Sequence, residues 1–267
     1  MPRFPFRVRI FSFCDINVKR FLKIVEAIHR GFWLGVLNRN GLDKATELYY
    51  LSLKKYQSLN YNKIGLWQWE ENALNTYFEE CKSILIGACG GGREIVALAS
   101  MGFQVDGFEC SHELVEYSKE ILTSEGIDAQ VYFAPPNQVP IELNIYDGLI
   151  IGWGGYMHIP GRDRRISFLK QIRLHVKDDG PLLLSFFARD KSKQYGRICK
   201  VARFVAFLTR NSHPVELGDN INGTFDHCFT KEEIDHELSQ AGFEMVYYSA
   251  IYSSDETSYP HAVAKAV

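Results

Sequence analysis

From Lys82 onward the chain alternates between two hydrophobic rhythms. Short apolar runs predict strands at Ser83–Ile86, Phe103–Phe108, Ala129–Phe133, Tyr146–Ile151 and Pro181–Phe187. Between them, apolar residues recurring every three or four positions predict helices at Glu94–Ser100, His112–Ser124 and Arg162–Val176. Ser111 stands at the N-cap position of the second helix. A further helix at Lys231–Ala241 opens with Thr230 and Glu233 in capping-box spacing. Two strands, Glu244–Tyr252 and His261–Val267, are joined only by Ser253–Pro260 and predict an antiparallel pair at one edge. Strands alternating with helices imply an α/β fold with a doubly wound, mostly parallel sheet.

The first 80 residues read as a helical N-terminal extension. Val18, Phe21, Val25, Ile28 and Phe32, broadened by Leu22, Trp33 and Val36, predict a helix from about 17 to 37, ended near Asn38–Gly41. Residues 1–40 carry eight Lys/Arg against Asp15 and Glu26, so this helix is basic as well as amphipathic. It suits packing on the main domain or weak attachment to a membrane surface or partner. Residues 42–80 are helical and rich in aromatics, with Tyr49, Tyr50, Tyr56, Tyr61, Trp67, Trp69 and Tyr77 and a break at Gly65. Residues 189–210 hold seven Lys/Arg against Asp190, on a helical stripe of Tyr195, Ile198, Val201, Val205 and Leu208. The segment 190–228 interrupts the strand–helix rhythm. As an insertion above the carboxyl edge of the sheet it predicts a substrate lid, the alternative being a solvated basic helix. The expected organisation is a cap over 1–80 and an α/β domain over 81–267.

Composition narrows the function classes. The chain has 267 residues, 46% of them hydrophobic, and a net charge of −2, which supports a real core and excludes a globally basic nucleic-acid binder. No run reaches the roughly 18 apolar residues of a membrane span. Arg7, Arg9, Asp15 and Lys19 interrupt any secretory apolar core. Cys14, Cys81, Cys89, Cys110, Cys199 and Cys228 form no CxxC pair, so no metal site is expected and reduced thiols of a cytoplasmic protein are the plain reading.

The densest chemical signal is Ile84-Leu85-Ile86-Gly87-Ala88-Cys89-Gly90-Gly91-Gly92-Arg93-Glu94, a buried strand entering a glycine-rich turn and then a helix. Such a turn lets main chain approach a ligand closely and aims free helix N–H groups at it. Gly92 is followed by Arg93-Glu94, so the Gly-Lys-Ser/Thr ending of a Walker A loop is missing. The dinucleotide fingerprint fails too, because its third small position falls on Ile95 or Arg93. The remaining pattern, Ala88, Gly90 and Gly92, suits a ligand without a pyrophosphate. Glu109, ending the next strand, is placed to accept both hydroxyls of a ribose.

With these residues the chain resembles the class I S-adenosylmethionine-dependent methyltransferases over roughly Leu66–Val267. Ala88-Cys89-Gly90-Gly91-Gly92 is similar to that family's first motif, and Gly107-Phe108-Glu109-Cys110-Ser111 to its ribose-binding acidic motif. Tyr146-Asp147-Gly148-Leu149-Ile150-Ile151-Gly152-Trp153-Gly154 resembles the fourth-strand motif, whose end lies beside the methionine part and the reacting methyl. The turn Asp178-Asp179-Gly180 into Pro181–Leu184 resembles the family's entry to strand five. The resemblance implies a seven-stranded sheet of order 3-2-1-4-5-7-6 with strand seven antiparallel. It implies S-adenosylmethionine as cofactor and S-adenosylhomocysteine as product. Ala88, Cys89, Gly90, Gly92, Glu109, Cys110, Ser111, Pro135, Asn137, Gly152, Trp153 and Gly154 would line the cofactor site. Ile86 stands where the family often carries an acidic residue in strand one, and in place of the usual adenine-binding Asp the resemblance leaves Asn137, Gln138 or backbone groups to serve.

The implied function is in-line methyl transfer to a small-molecule oxygen or nitrogen acceptor. Catalytic candidates are His158 as general base, Tyr156, and His227 in Phe225-Asp226-His227-Cys228. Each histidine has a loop-packing alternative. Tyr156 and Trp153 are expected to wall the pocket, Tyr56 and Tyr61 to cover it from the N-terminal side, and Cys89 to serve as a small turn residue. Arg162, Arg164 and Arg165 read as a solvated face or an anion contact. Two readings compete: an RNA or protein methyltransferase using the basic segments, ranked lower because they lack an aromatic stacking platform, and a non-catalytic cofactor-binding scaffold.

Overall fold

The computed structural model describes residues 5–253 and 257–267; Arg3 of the basic N-terminus and 254–256 of the final connection lie outside them. The strands β1 (Ser83–Gly87), β2 (Gln104–Glu109), β3 (Val131–Phe133), β4 (Gly148–Ile151), β5 (Pro181–Ser185), β9 (Phe243–Ser249) and β10 (His261–Ala266) form one seven-stranded sheet. Its order is β3-β2-β1-β4-β5-β10-β9, and only β10 runs antiparallel to its neighbours. This is the 3-2-1-4-5-7-6 arrangement implied by the sequence resemblance.

Parallel strands covered on both faces read as continuous apolar runs, and β4 and β5 are buried at every position. Alternate residues feed two cores. Leu85, Leu149, Leu182 and Leu184 pack with Phe168, Leu169 and Ile172 of α7 (Arg162–Arg173) and Ile234 and Leu238 of α9 (Lys231–Ser239). Ile84, Ile86, Ile150 and Leu183 pack on the other face with α4 (Gln68–Tyr77), α5 (Arg93–Ser100) and α6 (His112–Ser124). Local signals fix the helix ends. Ser111 Oγ accepts from Leu114 N at 3.3 Å, and Thr230 and Glu233 form a capping box.

The N-terminal region contains α1 (Phe6–Val36), α2 (Arg39–Ser52), a 3-10 turn at Lys54–Gln57 and the short α3 (Leu59–Asn62). Helix α1 begins eleven residues before the expected 17, because the apolar pattern continues to Phe6 and Pro5 takes the N-cap position. Gly65 adopts φ +88 between α3 and α4, at the expected break.

Three sequence expectations are corrected. The strand Pro181–Phe187 divides at Phe186, and Phe187–Ala188 forms a separate strand, β6. Segment 190–228 contains α8 (Lys193–Thr209) and also a hairpin, β7 (Asp219–Asn222) and β8 (Thr224–Phe229). The hairpin turns at Gly223, φ +83, and builds a second sheet of order β6-β8-β7. The helix Arg162–Val176 ends at Arg173, since Val176 instead bridges Tyr146 beside the main sheet.

Candidate active site

The glycine-rich bend leaves β1 with left-handed residues at Ala88 (φ +53), Gly90 (φ +55) and Gly92 (φ +95). Ala88, a residue with a Cβ, accepts this conformation because its surroundings hold it. A Cβ on Gly152 would lie 2.4 Å from the Ala88 carbonyl oxygen, and one on Gly155 would lie 2.7 Å from the Ala88 Cβ. On the opposite side, a Cβ on Gly91 would sit 2.1 Å from the carbonyl oxygen of Tyr56. Only glycine lets the bend fit between the end of β4 and the N-terminal cap. A Cβ on Gly90 would meet nothing within 4 Å, so here the main chain faces open space.

That space is a cavity of about 470 Å³ at the carboxyl edge of the sheet, within the usual range of small-molecule sites. Ala88, Cys89, Gly90, Glu109, Cys110, Ser111, Pro135, Asn137 and Trp153 line it, together with Tyr56 and Tyr61 of the cap. Gly92, Gly152 and Gly154 do not. Gly92 caps α5, Gly152 presses on Ala88, and Gly154 N donates to Ser185 Oγ at 2.9 Å. The side chain of Glu109 is fixed by its own surroundings. Oε2 accepts from Gly90 N at 2.9 Å, and Oε1 from Cys110 N at 2.7 Å and Ser111 N at 3.1 Å. A carboxylate offers about four acceptor sites, so the amides orient it and leave capacity toward the cavity.

A second, smaller cavity adjoins the first, and Tyr50, Tyr56, Trp153 and His158 line both. Tyr50 Oη lies 2.7 Å from His158 Nε2, and His158 Nδ1 lies 2.7 Å from the Phe225 carbonyl oxygen. A carbonyl only accepts, so Nδ1 carries the proton and Nε2 accepts from the Tyr50 hydroxyl. Burial, followed by the neighbouring Tyr56 and Asp226, raises the Tyr50 hydroxyl far above its ordinary pKa. Burial also pushes Tyr56 up to about 12. The second cavity is further lined by Asn222, Thr224 and Asp226 of the hairpin, while α8 lines neither cavity and packs on α1. Within 190–228 it is therefore the hairpin that reaches the site.

Two catalytic candidates are placed elsewhere. Tyr156 is fully buried, donates to Glu237 Oε2 at 2.6 Å and stacks on Phe229, so it lines neither cavity. His227 is displaced by strand alternation: in β8 the neighbouring Asp226 faces the second cavity and His227 faces the opposite side. Asp226, which sequence reasoning did not select, lies with Oδ1 3.2 Å from His158 Nδ1. Arg93 was also missed. It is buried and bonds Glu70 at 2.7 and 2.8 Å, Glu94 at 2.7 Å and the Gly65 carbonyl at 2.9 Å, tying α4 to the bend.

Arg165 is buried rather than solvated, pairing with Glu216 at 2.8 Å and Glu237 at 2.7 Å. Arg164 pairs with Asp43 on α2 at 2.8 Å, and the guanidinium of Arg162 is 3.4 Å from Glu237. The same buried network holds His227, whose Nδ1 lies 2.7 Å from Asp219 Oδ1 and whose Nε2 lies 3.9 Å from Glu233 Oε2. Glu216, Asp219 and His227 place one ligand-type atom each within 4.8 Å, but Arg165 already supplies a cation to this cluster. Burial opposes the charged His227 ring; its hydrogen bond to Asp219 and the nearby Glu233 carboxylate outweigh burial and the neighbouring Arg165, and its pKa is raised above 6.5. Its stabilising contribution is thus complete below the unfolded pKa and is lost as pH rises through the folded value. Urea midpoints should fall on the alkaline side of pH 6.5, and His227→Gln should flatten that decline. A decline of equal slope in the variant would contradict the assignment.

No protein-family model and no curated protein sequence matches the chain. Solved structures do. A SAM-dependent methyltransferase from Methanosarcina mazei is similar over 76% of this chain and 99% of its own, with TM-score 0.56 and 18% identity. An amino pentose methyltransferase of calicheamicin biosynthesis from Micromonospora echinaspora, solved with SAM bound, matches 80% of this chain and 98% of its own, with TM-score 0.55 and 13% identity. The 1,6-didemethyltoxoflavin-N1-methyltransferase of Burkholderia thailandensis, with its acceptor and S-adenosylhomocysteine bound, matches 69% and 70%, with TM-score 0.51 and 16% identity. Together with the strand order, these likenesses give this chain the fold of the class I SAM-dependent methyltransferases.

Proposed function

We propose that the protein is a methyltransferase that uses S-adenosylmethionine and acts on a small-molecule oxygen or nitrogen acceptor. The observation that carries this reading is the pair of adjoining cavities, one bordered by the bend and Glu109, the other reached through a shared wall of Tyr50, Tyr56, Trp153 and His158. The residues of the larger cavity fit the cofactor. Gly90 leaves room for close approach, Glu109 would take the ribose, and Phe133–Gln138 along the cavity wall would border the base. When bound, S-adenosylmethionine supplies an activated methyl on a cationic sulfur.

The protein's own part is to align, to exclude water and to move a proton. The aromatic wall already holds one cation: Lys55 Nζ lies 4.9 Å from the Tyr56 ring centre, 5.4 Å from Tyr61 and 5.6 Å from Trp153. Such faces favour positive charge, which suits a sulfonium neighbour. An acceptor proton would pass to the Tyr50 oxygen as the Tyr50 proton passes to His158 Nε2, with the Asp226 carboxylate 3.2 Å from Nδ1 on the far side of the ring. His158 therefore acts through Tyr50.

The test is release of S-adenosylhomocysteine across a panel of oxygen and nitrogen acceptors. Turnover with any of them supports transfer; firm cofactor binding with no product from any acceptor would favour the scaffold reading. Tyr50→Phe should lower kcat about 10²-fold or more on acceptors that must lose a proton, a size ordinary for acid–base catalysis, and leave cofactor affinity unchanged. Unchanged kcat would remove Tyr50 from the proton path.

A further inference from the structure

Helix α1 is 31 residues long, about 45 Å at ~1.5 Å per residue, and only its C-terminal part touches the body. Its buried residues are Ala27, Gly31, Leu34 and Gly35. Gly31 and Gly35 allow α8 to lie close, since a Cβ at these positions would fall 2.8 Å from the Ile198 carbonyl oxygen and 2.6 Å from that of Ala202. No residue from Phe6 to Glu26 is buried. Phe11 and Phe13 are each 70% exposed and Phe21 is 64% exposed.

These apolar residues are ordered. At ~100° per residue, Phe6, Ile10, Phe11, Phe13, Phe21, Ile24, Val25, Ile28 and Phe32 occupy one half of the helix, with Arg7, Asn17 and His29 as exceptions. Arg9, Lys19, Arg20, Lys23 and Arg30 occupy the other half with Ser12, Asp15 and Glu26, where Val8, Ile16 and Trp33 are the exposed apolar exceptions. The two acids of the helix are matched within it, Asp15 by Lys19 at 2.7 Å and Glu26 by Arg30, so the remaining charge is positive. Helix α8, packed on the C-terminal part of α1, adds positive charge: Lys193, Arg197, Lys200 and Arg203 face no acid within its own length. No helix among the described residues is long and apolar enough to cross a membrane.

We propose that the exposed apolar face of α1 lies in the surface of an anionic lipid bilayer. An apolar half flanked by lysine and arginine is the pattern of an interfacial helix, whose hydrocarbon side enters the acyl boundary while its cations meet anionic headgroups. The excess of cations selects an anionic surface over a second copy of this chain, whose identical face would bring like charge against like charge.

The experiment is co-flotation of the full-length protein with phosphatidylcholine vesicles, with and without phosphatidylserine. Binding should be stronger by about tenfold or more when phosphatidylserine is present, and should weaken as salt is raised. Lys19→Glu with Lys23→Glu should erase the preference for phosphatidylserine, and Phe11→Asp with Phe13→Asp should abolish binding altogether. All four side chains are exposed, and an unchanged far-ultraviolet spectrum and cofactor affinity would show that the variants remain folded. No flotation with either vesicle would overturn the proposal. So would a concentration-dependent dimer that the Phe11/Phe13 variant converts to monomer in the absence of lipid.

Discussion

Replacing Glu109 by alanine should weaken binding of S-adenosylhomocysteine by roughly 30-fold to 1000-fold, as read by calorimetry. Two effects add. With three of its roughly four acceptor sites taken by amides, the carboxylate is expected to accept one hydrogen bond from the ribose, and a bond to a charged group contributes about 1.5–3 kcal/mol. The same carboxylate holds the amides of Gly90, Cys110 and Ser111, so its removal also frees the bend that must fit the ligand. Glu109→Gln keeps the size and one acceptor oxygen, and should fall between the wild type and Glu109→Ala. An affinity unchanged in Glu109→Ala would separate this residue from the ligand. The protein should still fold, because the carboxylate borders a cavity rather than filling the core.

Arg93→Met should be the most destabilising single change near the site, at about 3–5 kcal/mol in urea unfolding. The substitution keeps bulk but leaves two buried carboxylates, Glu70 and Glu94, without their shared cation. Burial raises the Glu70 pKa even with Arg93 present, and its Arg93 bonds are what oppose that rise. Losing Arg93 should drive one carboxyl to take up a proton. Adding Glu70→Gln should recover part of the loss, because it removes one of the stranded charges. Arg93 also links the Gly65 carbonyl and α4 to the start of α5, so the variant should bind cofactor less firmly as well. A loss below about 1 kcal/mol would show that the network does not hold the cap to the bend.

The parts of the fold legible in the sequence are those where local and global signals coincide. The run from β1 through the bend to β2 combines fully buried aliphatic residues, glycines at left-handed positions and a carboxylate at a strand end. Ser111 and the Thr230–Glu233 box marked helix starts through hydrogen bonds made within four residues. The β7–β8 hairpin escaped because β8 buries Asp226 and His227 among its six covered positions, so its alternation of apolar and polar residues is hidden. What permits the burial of His227 is a network through Asp219 and Glu216 that closes on Arg165, 51 positions before Glu216 and so invisible in the local pattern. Asn222-Gly223, a common hairpin turn pair, was the available signal. The Tyr50–His158 contact spans 108 positions and joins the cap to the loop after β4, so no local pattern announces it.

The bend at Ala88–Gly92 and the carboxylate of Glu109 are expected to hold an adenosyl group. Titration of S-adenosylhomocysteine into the wild-type protein in a calorimeter tests it most directly. A saturable isotherm with one molecule bound per chain is the expected result; absence of binding heat, together with an unshifted thermal midpoint at saturating ligand, would contradict it.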